Sequence, residues 1–248
     1  MNRLVSFGRA LLGRTRASDG YEVVGSVDAA PSSVGWTQPD VAARQQAAFA
    51  PLLSELRAGR ARADFRALAD ALAFIDAHNP EILELGCGSG WNFEVLNLLY
   101  AQPFRYAGLD CSAPMIALAQ RNYPAARFFV GDATATPLGD KSYDILVSGT
   151  VLMHLANYVE AIAEARRLAR HWCVFHTVPF MRKRTTTILR KQAYGEPAVE
   201  VVFNETELLD LFAHQGLELR QIFESISYDL ESVLGERTAT RTYVCRIK

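Results

Sequence analysis

The chain lacks most of the features that assign a function class at a glance. It has four cysteines, no apolar run near the length of a membrane span, and almost no excess of charge of either sign. Cys87, Cys111, Cys173 and Cys245 stand singly, with no CxxC, so neither a metal site nor a disulfide framework is expected. A transmembrane helix needs about 18 or more consecutive apolar residues, and none is present. With 26 basic against 27 acidic side chains the formal net charge is −1. That removes the bulk basic excess with which general nucleic-acid binders neutralise phosphates, and no nucleic-acid partner is expected. Disorder is excluded as well, because 50% of the 248 residues are hydrophobic and 10% aromatic, enough to build a core. At the start, Arg3, Arg9, Arg14 and Arg16 interrupt Leu4, Val5, Phe7, Leu11 and Leu12. No continuous signal core forms there, so a cytoplasmic protein with reduced thiols is expected; its basic first 20 residues suit peripheral membrane contact or a mobile terminus.

Helical spacing begins at Asp40. Val41, Ala48, Leu52, Leu53 and Leu56 recur along one stripe, with Pro51 as a kink and Gly59 as a stop. A second helix, from about Asp64 to Ala77, puts Phe65, Leu68, Leu72 and Ile75 on one face and ends at Asn79-Pro80. Beyond Pro80, strand-like and helix-like runs alternate. Strands are expected at Ile82 to Leu85, Tyr106 to Leu109, Ala126 to Val130, Tyr143 to Ser148, Trp172 to Thr177, Leu217 to Glu224 and Thr240 to Ile247. Seven strands, with helices between the first five, imply a doubly wound α/β fold with a mainly parallel sheet and an antiparallel final pair. The organisation is an N-terminal helical extension, residues 1–80, on one α/β domain, residues 81–248.

The densest signal is Glu84-Leu85-Gly86-Cys87-Gly88-Ser89-Gly90, where an apolar strand passes through three alternating glycines into a helix. Glycine permits left-handed backbone and leaves no side chain between chain and ligand, so the turn implies a pocket at the strand's carboxyl edge. A dinucleotide fingerprint wants its third glycine one residue later, where Trp91 stands. Glu84 also repels a diphosphate and favours an ammonium or sulfonium. Asp110 closes the second strand, 20 residues past Gly90, where an acid accepts both hydroxyls of a ribose. Asp132 follows the third strand in Gly131-Asp132-Ala133, placed to accept from an exocyclic amine beside the Ala133 N–H. Each acid alone reads equally as a solvated loop residue or a helix cap, as Ser112 does for the helix after it. Together they converge on one edge of a parallel sheet.

Four ordered segments, Glu84 to Gly90, Leu109-Asp110-Cys111-Ser112, Gly131-Asp132-Ala133 and Tyr143 to Ser148, resemble the motifs of class I S-adenosylmethionine-dependent methyltransferases. The resemblance covers about residues 81–178. It implies a Rossmann-like seven-stranded sheet with the last strand antiparallel, and S-adenosyl-L-methionine as cofactor. It places Gly86, Gly88 and Gly90 under the methionyl part, Glu84 near its amino group, and Asp110 on the ribose. Cys111 then flanks adenine, Asp132 and Ala133 read its edge, and Ser148 closes the site by the sulfonium. Gly35-Trp36, Val41 to Gln45 and Ala63-Asp64-Phe65 resemble, less specifically, bacterial methyltransferases associated with surface-polysaccharide biosynthesis.

Methyl transfer is an in-line displacement that needs alignment, water exclusion and, for a hydroxyl acceptor, a base. The resemblance puts a histidine at His154, which serves as base or orienting group, or else as an interface residue between Met153 and Leu155. His176 ends the fifth strand and also borders the crevice, or packs within the sheet. The basic run Arg182, Lys183, Arg184, Arg190 and Lys191 is a solvated face or, up to Phe203, a substrate lid for an anionic acceptor. Asn204-Glu205-Thr206-Glu207 opens the next helix as a capping box. Trp36, Arg44 and Gln45 belong to an extension able to fold over the cofactor mouth, with Arg44 near the cofactor carboxylate or in a surface ion pair. Ser148-Gly149-Thr150-Val151 replaces the motif of nucleic-acid base methyltransferases. The expected function is methyl transfer to a small-molecule or saccharide acceptor, at oxygen. Its rivals are a non-catalytic cofactor-binding module and a nicotinamide-dependent oxidoreductase.

Overall fold

The computed structural model describes residues 20–24 and 33–248. The basic stretch at the start lies outside the described residues. Among the described residues no helix is long and apolar enough to cross a membrane, and no cluster of three His, Cys, Asp or Glu side chains is placed to hold a metal.

After the two-residue strand β1 (Glu22–Val23), the chain forms the two helices that the apolar spacing predicts. α1 (Pro39–Arg57) opens on a proline, whose missing N–H costs nothing in the first turn. It runs through Pro51 and stops at Gly59. There a φ of +81° lets the Gly59 and Arg60 N–H groups reach the Leu56 and Glu55 carbonyls, both at 2.9 Å. α2 (Ala63–Ile75) buries Phe65, Leu68, Leu72 and Ile75, the predicted face.

From Glu81 the chain winds β2 (Glu81–Leu85), α3 (Trp91–Leu99), β3 (Arg105–Asp110), α4 (Ala113–Asn122), β4 (Arg127–Val130), β5 (Tyr143–Gly149), α5 (Tyr158–Leu168) and β6 (Ala169–Met181). The strands are parallel neighbours in the order β4-β3-β2-β5-β6. One face buries Leu68, Leu72, Leu96 and Ile116 from α2, α3 and α4. The other buries Ile162, Ala165 and Leu168 from α5, and Phe212, which stacks on Phe175 at 4.5 Å.

All seven expected segments are strands, but the sheet has ten. The segment expected to be a solvated face or a substrate lid forms a hairpin, β7 (Thr187–Ala193) and β8 (Glu196–Asn204), turning at Tyr194 and Gly195. β1 pairs with its outer edge, and β8 joins the far end of β6 through Phe180 and Met181. The run of cations masks an alternating strand, in which Leu189 is buried while Arg190 is exposed. After α6 (Glu205–His214), β9 (Leu217–Glu224) and the short α7 (Glu231–Leu234), β10 (Ala239–Ile247) pairs antiparallel with both β6 and β9. The sheet therefore forks along β6.

The cap of α6 forms by halves. Asn204 Oδ1 accepts from the Thr206 and Glu207 N–H groups at 3.0 and 3.2 Å. Glu207 does not return the bond, because its carboxylate accepts from the Thr186 N–H at 2.9 Å, and Thr186 Oγ1 accepts from the Asn204 N–H at 3.0 Å. The hairpin thus substitutes for half of the capping box.

Candidate active site

The carboxyl ends of β2, β3 and β5 border a cavity of about 910 Å³ counted out to its mouth, together with the interior of β6, where His176 lies instead of ending its strand. The glycine turn lines it, built by backbone bonds. The Gly86 and Cys87 N–H groups both donate to the Leu109 carbonyl, at 2.7 and 3.0 Å. Gly86 and Gly88 are left-handed, with φ of +70° and +53°. A Cβ on Gly86 would overlap the Val151 side chain, and one on Gly88 would press on Trp91 and Gln45.

Asp110 is buried at the β3 tip and anchored at both oxygens. Oδ2 accepts from the Gly88 N–H and Oδ1 from the Ser112 N–H, each at 2.8 Å. Burial pushes its carboxyl above the usual range, and the two N–H bonds oppose the shift. Ser112 caps α4 by its backbone position only, since its hydroxyl makes no cap bond.

Five buried side-chain polar atoms have no partner among the described residues, and three belong to this cavity: Gln45 Oε1, Asn92 Oδ1 and Arg62 Nη1. Buried polar atoms are normally paired, so a cluster of orphans in a cavity marks places where a ligand completes the bonding. Two acceptor oxygens near an empty-sided glycine turn suit an ammonium group and fit the methionyl end of S-adenosylmethionine. Asn92 Nδ2 meanwhile donates to Glu84 Oε1 at 2.7 Å, and the Tyr106 hydroxyl donates to Glu84 Oε2. Glu84 is thus buried behind Asn92 and does not itself line the cavity.

Burial pushes the Glu84 carboxyl up to about 7, against the lowering effect of those two hydrogen bonds. A raised folded-state value means that the unfolded chain ionises first. Stability is therefore lost as pH rises from about 4.5 to about 7, and the penalty is complete above that. Glu84→Gln removes the buried ionisation. Relative to the native protein it is expected to melt higher at pH 8 and nearly unchanged at pH 4.5; the same shift at both would refute the account.

The same cavity is lined by two histidines. His154 Nδ1 lies 2.9 Å from the Val199 carbonyl, which only accepts, so Nδ1 carries the proton and Nε2 holds a lone pair. Loss of water around the ring, then the nearby Lys191 charge, push this imidazole down to about 3. The ring leans on Trp36, centroids 4.8 Å apart. His176 is buried with both nitrogens engaged, Nδ1 by Thr242 Oγ1 at 2.9 Å and Nε2 by Thr177 Oγ1 at 3.1 Å. Burial lowers it to about 4. Thr150 and Thr177 line the same floor with φ of +61° and +55°. Strain of this kind, about 1–3 kcal/mol per residue, persists where the surroundings impose it and clusters at functional sites.

Of the residues expected from sequence, Gly86, Gly88, Asp110, Cys111, His154 and His176 line the cavity. Gly90, Asp132, Ala133 and Ser148 do not. Gly90 is the left-handed N-cap of α3, Ser148 is buried within β5, and exposed Asp132 accepts from the Thr134 N–H and hydroxyl, both at 2.8 Å. Arg182, Lys183 and Arg184 are exposed outside the cavity. Their backbone N–H groups are gathered by Glu236, and Lys191 is buried against Glu200. Arg44 donates to the Tyr194 carbonyl at 2.6 Å and to Asp40 at 3.3 Å, so it pins the extension to the hairpin. The Arg62–Asp64 pair and Asn92 escaped the sequence reading. Asn92 had a signal, as an amide in the first helical turn after the glycines; Arg62 had none.

Residues 83–175 match the family profile described as a methyltransferase domain. A probable S-adenosylmethionine-dependent methyltransferase of Mycolicibacterium smegmatis is 26% identical over 160 residues, 62% of this chain and 54% of that protein. The dTDP-3-amino-3,6-dideoxy-alpha-D-glucopyranose N,N-dimethyltransferase of Streptomyces fradiae is 30% identical over 127 residues, 50% of this chain and 48% of that one. The chain thus spans about half the length of these curated relatives. In fold it is similar to the 1,6-didemethyltoxoflavin-N1-methyltransferase of Burkholderia thailandensis, solved with its substrate and S-adenosylhomocysteine. The TM-score is 0.58 at 17% identity, covering 95% of this chain and 98% of that one. The profile match falls on the glycine turn, the Asp110 tip and the strands that carry them, so over residues 83–175 the chain is similar to a methyltransferase domain.

Proposed function

We propose that this protein transfers a methyl group from S-adenosylmethionine to an oxygen of a small-molecule acceptor. Residues 1–80 act as a cap and residues 81–248 as the cofactor-binding domain. The observation that carries this reading is one cavity lined by a glycine turn, by Asp110 and by a histidine with a free lone pair. Gln45 and Asn92 accept from the cofactor's ammonium, with Glu84 behind Asn92, and Asp110 takes the ribose hydroxyls. Cys111, Asp132 and Ala133 lie on the adenine side, and Gly90 and Ser148 shape the turn and the β5 tip from beneath. The four cysteines are free, as suits a reducing cytoplasm.

When bound, the cofactor supplies an electrophilic methyl on a sulfonium. The chain's share is alignment and exclusion of water. Phe49 of α1 and Phe65 of α2 line the cavity beside the β5 end. His154 Nε2 accepts the hydrogen of the acceptor hydroxyl and takes its proton as the carbon–oxygen bond forms. A weakly basic imidazole is enough, because a hydroxyl becomes strongly acidic once its oxygen is methylated. His176, with both nitrogens occupied, holds the floor in position.

A screen of hydroxylated small molecules with methyl-labelled cofactor tests the activity; no transfer to any acceptor, with cofactor bound, would favour the non-catalytic reading. With an acceptor in hand, His154→Ala is expected to lower turnover by roughly 10²–10⁴-fold while leaving S-adenosylhomocysteine affinity unchanged. A fully active variant would return His154 to packing. A saccharide acceptor is the second reading, favoured by the Streptomyces fradiae relative, which is named for a nucleotide-linked sugar.

A further inference from the structure

On the reading that this chain binds S-adenosylmethionine, the amino-acid end of that cofactor is a zwitterion, and the oxygens Gln45 Oε1 and Asn92 Oδ1 suit only its ammonium half. The carboxylate sits on the same carbon atom and needs a donor close by. Arg44 is not that donor, because it is engaged by the Tyr194 carbonyl and Asp40 and does not line the cavity. Arg62 is the one arginine or lysine among the lining residues.

A continuous stack joins Arg62 to the glycine turn. A Cβ on Gly88 would lie 2.8 Å from the Trp91 ring and 2.9 Å from Gln45 Oε1. Trp91 stacks on Phe49 with ring centroids 3.9 Å apart, and Phe49 follows Gln45 by one turn of α1. The Arg62 guanidinium lies over Phe49 and Phe65, 5.9 and 4.9 Å from their centroids. It therefore stands on the aromatic stack that borders the turn. Trp91 and Asn92 also open α3, whose positive dipole end favours an anion there.

Asp64 fixes which edge of the guanidinium is engaged. Nε donates to Asp64 Oδ1 at 2.6 Å, and Nη2 donates to Oδ2. Oδ1 is held in turn by the Phe65 N–H at 2.9 Å. Nη1 carries two N–H bonds and is buried with no acceptor. A buried donor of a charged group is costly to leave unpaired, and an anionic oxygen repays it best. A free anion would leave net negative charge beside Asp64. The amino-acid zwitterion does not, because its ammonium balances its carboxylate as Arg62 balances Asp64.

We propose that Arg62 Nη1 receives the carboxylate of the cofactor's amino-acid end, with Asp64 as the positioning residue that leaves this arm of the guanidinium free for it. The N-terminal extension, through Arg62 and Gln45, thus reads the zwitterion and sets the preference for a carboxylated cofactor. The decarboxylated form, a donor of aminopropyl rather than methyl groups, lacks the group that Nη1 holds.

The test is calorimetry on the full chain with two ligands, S-adenosylhomocysteine and its decarboxylated analogue, which keeps the amine and lacks only the carboxylate. The native protein is expected to bind S-adenosylhomocysteine about ten- to a hundredfold more tightly, the effect of charge-assisted bonds to one carboxylate. The paired variant Arg62→Met with Asp64→Asn, which leaves no bare charge behind, is expected to lose that preference and to bind the analogue within about twofold of the native affinity. Arg62→Lys keeps the charge and a partner for Asp64 but has no second arm, and is expected to lose most of the preference as well. Asp64→Asn alone is expected to cut it by at least about threefold. The ratio of the two affinities separates this role from packing, since a damaged pocket weakens both ligands alike. Equal affinities in the native protein, a preference that survives in the paired variant or in Arg62→Lys, or equal losses for both ligands overturn the proposal. An unaltered ratio in Asp64→Asn removes the positioning role. Failure of the native protein to bind either ligand overturns the cofactor reading itself, whereas tight binding of both without preference overturns this inference alone.

Discussion

Replacing Asp110 by alanine is expected to weaken S-adenosylhomocysteine binding by about two to four powers of ten in calorimetry. Its carboxylate already holds the Gly88 and Ser112 N–H groups, one on each oxygen. A carboxylate has about four lone-pair positions, so both oxygens keep room for a ribose hydroxyl. Hydrogen bonds to a charged group contribute roughly 1.5–3 kcal/mol each, and two are lost, which gives the range stated. The same substitution frees the glycine turn, because the Gly88 N–H loses its partner. Asp110→Asn is expected to fall between the two, retaining one acceptor and the shape. Unchanged affinity in the alanine variant would remove Asp110 from the ribose site.

Gly149→Ala is expected to lower the melting temperature by roughly 5–20 °C and to take cofactor affinity with it. Gly149 ends β5, directly over the Glu84 carboxyl, and a Cβ there would fall on Glu84 Oε1 and crowd Cδ and Cγ. Glu84 cannot withdraw, because it is buried and held by Asn92 and Tyr106. Overpacking costs about 1–3 kcal/mol, and displacing a buried, hydrogen-bonded carboxyl about 1–3 more. The paired variant Glu84→Ala with Gly149→Ala is expected to recover most of the melting temperature, since trimming the carboxyl removes the overlap. Melting within about 2 °C of the native protein for Gly149→Ala alone would show that the overlap is relieved elsewhere.

The parts of the site that were legible are those in which chemistry and local backbone coincide. Gly86 and Gly88 advertise a left-handed turn, and Asp110 terminates a strand. The three acids of β2, β3 and β4 follow one another at the spacing of a strand and a helix. Even so, the three ended differently: Asp110 reaches the cavity, Glu84 is buried behind Asn92, and Asp132 turns to Thr134. Strand order places a residue at a tip, but the direction of its side chain depends on neighbours from other elements. The hairpin was misread because its cations dominate the segment, although Lys191 is buried against Glu200 and Leu189 faces the core.

By itself the sequence determined seven of the sheet strands, the two N-terminal helices and the sheet edge that borders the cavity. Each of these follows from short-range periodicity or from glycine's backbone freedom. Only the tertiary structure decided which polar atoms are left without partners. Gln45 from α1, Arg62 at the start of α2, Asn92 from α3 and His154 after β5 meet in one cavity across long stretches of chain, and no local pattern encodes that meeting. The few cysteines, the balanced charge and the missing apolar runs excluded whole classes of protein. What the folded chain adds is a set of unpaired buried atoms, whose bonding is unfinished until a ligand supplies the other half.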